Sequence, residues 1–321
     1  MTNQSLISIE TLESLTEGNA INIVEQLAKS TCDLERMVAW CAGYPVRSNI
    51  ADEPFSTRLM AVKYGAQIET LCNAPEEEIR AETIYWSESC KEALVTDPSE
   101  LVRAKIALLE SHIDILHKDS SSMVKAAVAS KGFYIEELYE NADDHVLCGI
   151  AASGHYHDKL YNHANPQIRA TVALAGGYLD HLEEDESPIV RAAVAANARY
   201  ATRLINDESM EAQRTLASIG VNLPMFQNSE WPQVRAEVAA HGNMSENFKY
   251  DPSAYVRSCA ARTKEGFRHY LYDLDDSVAL AAKTKLAELI TQQIIGLAKD
   301  KLDAIRMGFQ ARIDFGFLRL L

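Results

Sequence analysis

In the stretch "DESPIVRAAVAANARYATRLIN", residues 185 to 206, Val190, Val194 and Ala195 are spaced to fall on one side of a helix with 3.6 residues per turn. The same spacing returns every 22 residues. With Val190 as reference, the register passes through Glu35, Thr57, Ile79, Val102, Val124, Val146, Ile168, Ala212, Val234, Val256 and Val278, with one extra residue between Ile79 and Val102. Four and five residues after the reference stand pairs such as Val128 with Ala129, Ile150 with Ala151, Val172 with Ala173 and Val238 with Ala239. The small alanine lets a neighbouring helix come close. A second apolar column follows fourteen residues after the reference: Leu71, Leu116, Leu138, Leu160, Leu182, Leu204, Phe226, Phe248 and Tyr270.

Polar positions punctuate this pattern. Three residues before the reference stand Ser99, Ser121, Asp143, Asn165, Ser187, Ser209, Ser253 and Asp275, whose side chains suit the free N–H groups of a helix start. Pro166, Pro188 and Pro232 come next, where a missing N–H costs nothing. Eight residues after the reference come Gly43, Gly65, Gly132, Gly154, Gly176, Gly220 and Gly242, placed to close a helix of about ten residues in the left-handed conformation. Ala198 takes the glycine position in its own segment, which predicts a slightly longer helix there. Between the glycine and the second apolar column there is room for one or two turns, α or 3₁₀. Neither helix buries its stripe alone, so the predicted fold is all-α, with about twelve 22-residue repeats stacked into an elongated α-solenoid over residues 31–283. Residues 1–30 read as an N-terminal helical cap and residues 284–321 as a C-terminal capping helix with an apolar tail.

Runs such as "DSSSMVKAAVASKG", "NPQIRATVALAGG", "SPIVRAAVAANA" and "DPSAYVRSCAA" make the chain resemble the leucine-rich repeat variant family, a HEAT-like class. That resemblance implies α and 3₁₀ helices alternating in a right-handed superhelix and a role in binding other macromolecules, with no shared chemistry. The 22-residue unit is slightly shorter than the family's usual one. The clustered N-terminal cysteines that hold an iron–sulfur cluster in one member are missing, since Cys32 and Cys41 lie apart without close partners, so no cofactor is carried over.

Charge narrows the partners. The chain has 31 Lys and Arg against 46 Asp and Glu, a net charge of −15. From Thr284 onward there are six Lys and Arg against four Asp and Glu, so −17 falls on the rest. Such a surface repels phosphates, which argues against nucleic acid and for solubility or a basic protein partner. No apolar run reaches the length of a membrane span and the start lacks the pattern of a signal peptide, so the cytoplasm is the expected compartment.

Candidate chemistry is sparse. There is no phosphate-binding glycine loop, nucleophile elbow or H-E-x-x-H, and none of the six cysteines forms C-x-x-C, so neither an enzyme nor a metal or cofactor is expected. His145, His155, His157 and His163 cluster in sequence, yet the spacing of His155 and His157 puts them on different helix faces. A cation follows the reference at Arg36, Arg58, Arg80, Arg103, Lys125, Arg169, Arg191, Arg235 and Arg257, and an Asp precedes it by five at Asp52, Asp97, Asp119, Asp185, Asp207, Asp251 and Asp273. These two columns predict an Arg–Asp ladder between adjacent turns. Around Val146 the pattern breaks, with Leu147 in place of the cation followed by Cys148 and Gly149, which marks a kink or a partner contact. Tyr64 and Trp86, both seven after the reference, with Tyr85 and Leu109 alongside, are the candidate partner-binding residues; packing beneath the N-terminal cap is the competing role.

The expected function is a non-catalytic protein-binding scaffold or adaptor. The alternative is an acidic mimic that occupies the nucleic-acid site of a basic protein, and a HEAT-like DNA-repair enzyme is less favoured because it needs a basic face. The C-terminal stripe Leu286, Ile290, Ile294, Leu297 and Leu302 suits a cap, or else an oligomer or partner surface. The tail Phe315, Phe317, Leu318, Leu320 and Leu321 is apolar enough to fold back or dock elsewhere.

Overall fold

The computed structural model describes residues 5–46 and 48–318, and among the described residues every regular element is helical. The long helices follow the 22-residue register: Glu100–Leu108, Ser122–Ser130, Asp144–Ala152, Pro166–Leu174, Pro188–Ala195, Met210–Ser218, Pro232–Ala240 and Ala254–Ala261. They have eight or nine residues each. Every reference residue is buried, from Glu35 and Thr57 through to Val278. Glu35 is tolerated there because its carboxylate accepts hydrogen bonds from the Ser5 and Ser30 hydroxyls and from the Leu6 N–H.

Helix ends follow the glycine column with two departures. Gly132, Gly154, Gly176 and Gly220 have φ of +79° to +88°, the left-handed closure that glycine supplies without strain. Gly242 instead opens the 3₁₀ helix Gly242–Phe248, whereas most of the other short helices are α. The expectation of a longer helix before Ala198 is corrected. Pro188–Ala195 stops early, because Asn197 caps a new helix, Ala198–Ala201, by accepting from the Arg199 N–H. The short helix is thereby moved three residues forward, so Tyr200 and Ala201 take the buried positions and Leu204 is only half-buried. The capping expectation also needs correction. Asp143, Asn165 and Ser209 cap with their side chains, but Ser99, Ser121, Ser187 and Ser253 do not. At those four serines the backbone N–H is instead held by an Asp two residues earlier, namely Asp97, Asp119, Asp185 and Asp251.

The chain divides into two compact bodies, residues 91–270 and residues 1–90 with 271–321. In the first, successive long helices pack on one another in file. Their helix starts are joined by the Arg–Asp ladder: Arg103 to Asp119, Arg169 to Asp185, Arg191 to Asp207 and Arg235 to Asp251, each with Nε 2.7 or 2.8 Å from a carboxylate oxygen. Each of these arginines also donates to two backbone carbonyls of its own turn, so the guanidinium satisfies several groups at once. Asp119, Asp185 and Asp207 are pulled two ways. Burial pushes their carboxyls up, and the guanidinium together with a serine N–H outweighs it and holds them below the ordinary range.

The ladder is absent where the sequence breaks its own rule. Lys125 and Asn141, then Leu147 and His163, occupy positions that elsewhere hold Arg and Asp. At this place Asp144–Ala152 lies against Ser122–Ser130 so closely that a Cβ added at Gly149 would sit 2.3 Å from the Ala126 carbonyl oxygen. Gly149→Ala is therefore expected to push the two helices apart and cost about 2–3 kcal/mol, read from the urea midpoint. An unchanged midpoint would show that this contact is not under constraint.

In the other body, Asp276–Leu318 forms a long helix that packs on Ile9–Ser14, Ala20–Ala28 and Asp33–Cys41. Leu286, Ile290, Ile294 and Leu302 are buried there, so this stripe is consumed within the body. Leu297 is only half-buried because non-helical backbone at Ala298, φ −127°, shifts the face and buries Ala298 in its stead. Leu320 and Leu321 lie outside the described residues, as do the side chains of Phe315, Phe317 and Leu318.

Candidate functional site

The sequence candidates fall in different places. Tyr85 and Trp86 are each 53% exposed. One face of the Trp86 ring covers the turn at Gly65, where an added Cβ would lie 2.8 Å from it. Tyr64 is half-buried beside Gln292 of the C-terminal helix, and burial raises its phenol above the ordinary value. Leu109 is half-buried and belongs to the body formed by residues 91–270, whereas the three aromatics belong to the other.

A different set of aromatics forms a continuous feature in residues 91–270. Ten residues after the reference, at the start of each short helix, Tyr134, Tyr156 and Tyr178 hold left-handed backbone, φ +52° to +55°. That conformation costs a bulky side chain on the order of 1–3 kcal/mol. Ring stacking offsets it. Each tyrosine lies on an aromatic ring from the preceding segment, fifteen residues after that segment's reference: Tyr134 on His117 at 3.7 Å, Tyr156 on Tyr139 at 4.3 Å and Tyr178 on Tyr161 at 4.2 Å between centroids. The two Tyr–Tyr pairs occur at junctions without the Arg–Asp ladder, those of Lys125 with Asn141 and of Leu147 with His163; the junction of Gln213 with Ser229 also lacks it, with Gln227 and Met244 in the two aromatic columns.

A third column, thirteen after the reference, completes each step. Lys159 stands with Nζ 4.5 Å from the Tyr156 ring centroid and 5.3 Å from that of Tyr139. His181 stands 6.0 Å from Tyr178 and 5.9 Å from Tyr161. Arg203 stands 5.0 Å from Tyr200 and pairs with Glu183 and Asp180. The Tyr200 hydroxyl donates to Asp180 at 2.7 Å, a bond that raises the phenol and lowers the carboxyl. Tyr134 and Tyr178 remain 40% and 37% exposed, and Phe133 stands exposed beside Tyr134. The row therefore presents aromatic surface on a rigid support. The recurrence of tyrosine at 134, 156 and 178 is the sequence signal for it, readable at a column ten after the reference.

The four clustered histidines do not converge. The Nε2 of His157 pairs with the Ala151 carbonyl, His155 pairs with the Ser153 hydroxyl, and His163 accepts from the Asn165 N–H. Among the described residues no three His, Cys, Asp or Glu side chains are grouped as a metal site. Cys41 is buried, which together with the charge of Glu288 pushes its thiol up to about 12, far from a reactive thiolate. Among the described residues no helix is long and apolar enough to cross a membrane. No family model, curated protein or solved structure matches this chain.

Proposed function

We propose that the chain is an α-solenoid of about twelve 22-residue repeats, right-handed as in the leucine-rich repeat variant proteins it resembles, and that it acts as a non-catalytic scaffold binding another protein. The observation that carries this reading is the row of part-exposed tyrosines in left-handed backbone, each lying on an aromatic ring of the preceding segment. Tyrosine supplies large contact area with little conformational entropy to lose, and strained backbone concentrates at sites of recognition.

Photo-crosslinking from Lys131, at the head of the row, tests it in a native extract. The wild type is expected to capture a discrete protein, and Phe133→Ser combined with Tyr134→Ser is expected to weaken that capture by roughly 30-fold while leaving the thermal midpoint within a few degrees. Unchanged capture by the double variant, or a turnover activity in place of capture, would overturn the reading.

A second reading is favoured by charge. The ladder consumes Arg103, Arg169, Arg191 and Arg235, so their charge is not available to offset the excess of acid, −17 over residues 1–283. On this reading the chain is an acidic mimic occupying the nucleic-acid site of a basic protein. Its affinity would then fall steeply with salt, whereas docking through the tyrosine row would be nearly indifferent to it.

A further inference from the structure

A pocket of about 340 Å³ opens at the end of the tyrosine row, lined by Tyr178, Asp180 and His181 of one segment and by Asn197, Arg199 and Tyr200 of the next. It lies where the register departs from its rule. In the four preceding segments the short helix begins eleven residues after the reference, at Ile113, Ile135, His157 and Leu179. In the segment of Val190 it begins eight residues after, at Ala198, and no left-handed tyrosine fills the step, since Tyr200 lies inside that helix. Places where a regular pattern is broken at a local cost are where function is found.

The charges in the pocket are unevenly matched. Asp180 accepts from the Tyr200 hydroxyl and, at 3.4 Å, from Arg203 Nη1, a guanidinium it shares with Glu183 at 3.0 Å. Arg199 is exposed, rests with its guanidinium carbon 5.6 Å from the Tyr200 ring, and has no carboxylate within ion-pair distance among the described residues. The Asn197 side-chain oxygen is occupied by the Arg199 N–H, which leaves its amide N–H₂ as a donor at the wall. Arg199, Asn197 and the imidazole of His181 are thus available to an acceptor, with Tyr178 as an apolar floor beside them.

We infer that this pocket binds an oxyanion, a carboxylate or a phosphoryl group, on a side chain of a protein partner. The inference builds on the scaffold reading and names what that scaffold selects. Although the chain as a whole is acidic, distant charges are screened beyond about 8 Å at physiological ionic strength, so the local guanidinium decides what enters. The surrounding acidity adds selectivity, since anions are repelled elsewhere on the surface and accepted here.

Four acetylated, amidated tripeptides test this, Ala-X-Ala with X being Asp, phosphoserine, Asn or Lys, titrated into the full chain while the His181 imidazole resonances are followed and assigned against His181→Gln. The Asp and phosphoserine peptides are expected to displace the His181 signals, with the tighter of the two identifying carboxylate or phosphoryl as the group recognised, and the Asn and Lys peptides to leave them in place. Arg199→Gln, an exposed change that keeps the Asn197 cap, is expected to weaken the anionic peptide by about tenfold. Equal displacement by the Lys peptide, none by either anionic peptide, or an unchanged affinity in Arg199→Gln overturns the inference. Peptide binding without any crosslinked protein retires the scaffold and leaves the pocket. Crosslinking abolished by Phe133→Ser with Tyr134→Ser, without peptide binding, does the reverse.

Discussion

Val190→Asp is expected to destabilise residues 91–270 by about 4–5 kcal/mol, because it places a carboxylate with no partner at a position that is 0% exposed. The new group either stays charged in an apolar setting or takes up a proton to become neutral, and both routes cost free energy. Against the 5–15 kcal/mol typical of a folded domain, a loss of this size separates a folded population from a largely unfolded one. The informative control is Gly176→Val. Gly176 has φ +83° and open space where a Cβ would go, so valine meets only the left-handed backbone penalty of about 1–2 kcal/mol. Urea unfolding followed by far-ultraviolet circular dichroism measures both. If the two variants had the same midpoint, Val190 could not be the inward reference of its segment, and the 22-residue register would have to be shifted.

The core was legible in the sequence because it depends on local periodicity. Val102, Val124, Ile168, Val190 and Val234 are buried where the helical spacing places them, and the ladder partners Arg169 and Asp185 are a fixed sixteen residues apart, within reach of any regular stack. Features that depend on distant chain segments were not legible. Tyr64 meets Gln292, more than two hundred residues away, and no periodicity links the two. The tyrosine row escaped for another reason. Its contacts join columns ten and fifteen after the reference, which also contain His117, Glu183 and Tyr200, so neither column stands out as apolar. At Ala198 the missing glycine was visible, but its consequence ran opposite to the simple expectation. Without a left-handed closure the chain did not prolong the first helix; it used Asn197 to start the second one early, and that displacement accompanies the pocket at Arg199.

Arg169→Ala is expected to cost about 3–5 kcal/mol, and more than any change to the exposed Arg203–Glu183 pair, for which about 0–1 kcal/mol is the scale. The difference is solvent. The Arg169 and Asp185 side chains are only 10% and 9% exposed, whereas Arg203 is 49% exposed. Removing Arg169 leaves the Asp185 carboxylate uncompensated and frees the carbonyls of His163 and Ala164. The Arg169→Ala, Asp185→Ala double variant is expected to lose less than the sum of the two single changes, because each single change already strands the other's charge. The same pair fixes the response to pH. The Asp185 carboxyl lies below its ordinary value in the folded chain, so below the unfolded value of about 3.9 the unfolded state binds more protons. The stability it contributes is therefore fully present above about pH 4 and lost as pH falls through the still lower folded value. Asp119 and Asp207 have the same sign and steepen the loss. Denaturant midpoints from pH 7 to pH 2 are expected to fall on the acid side for the wild type and to fall less for Asp185→Ala, which starts lower. Parallel curves for the two proteins would show that the Arg169 contact does not hold Asp185 ionised.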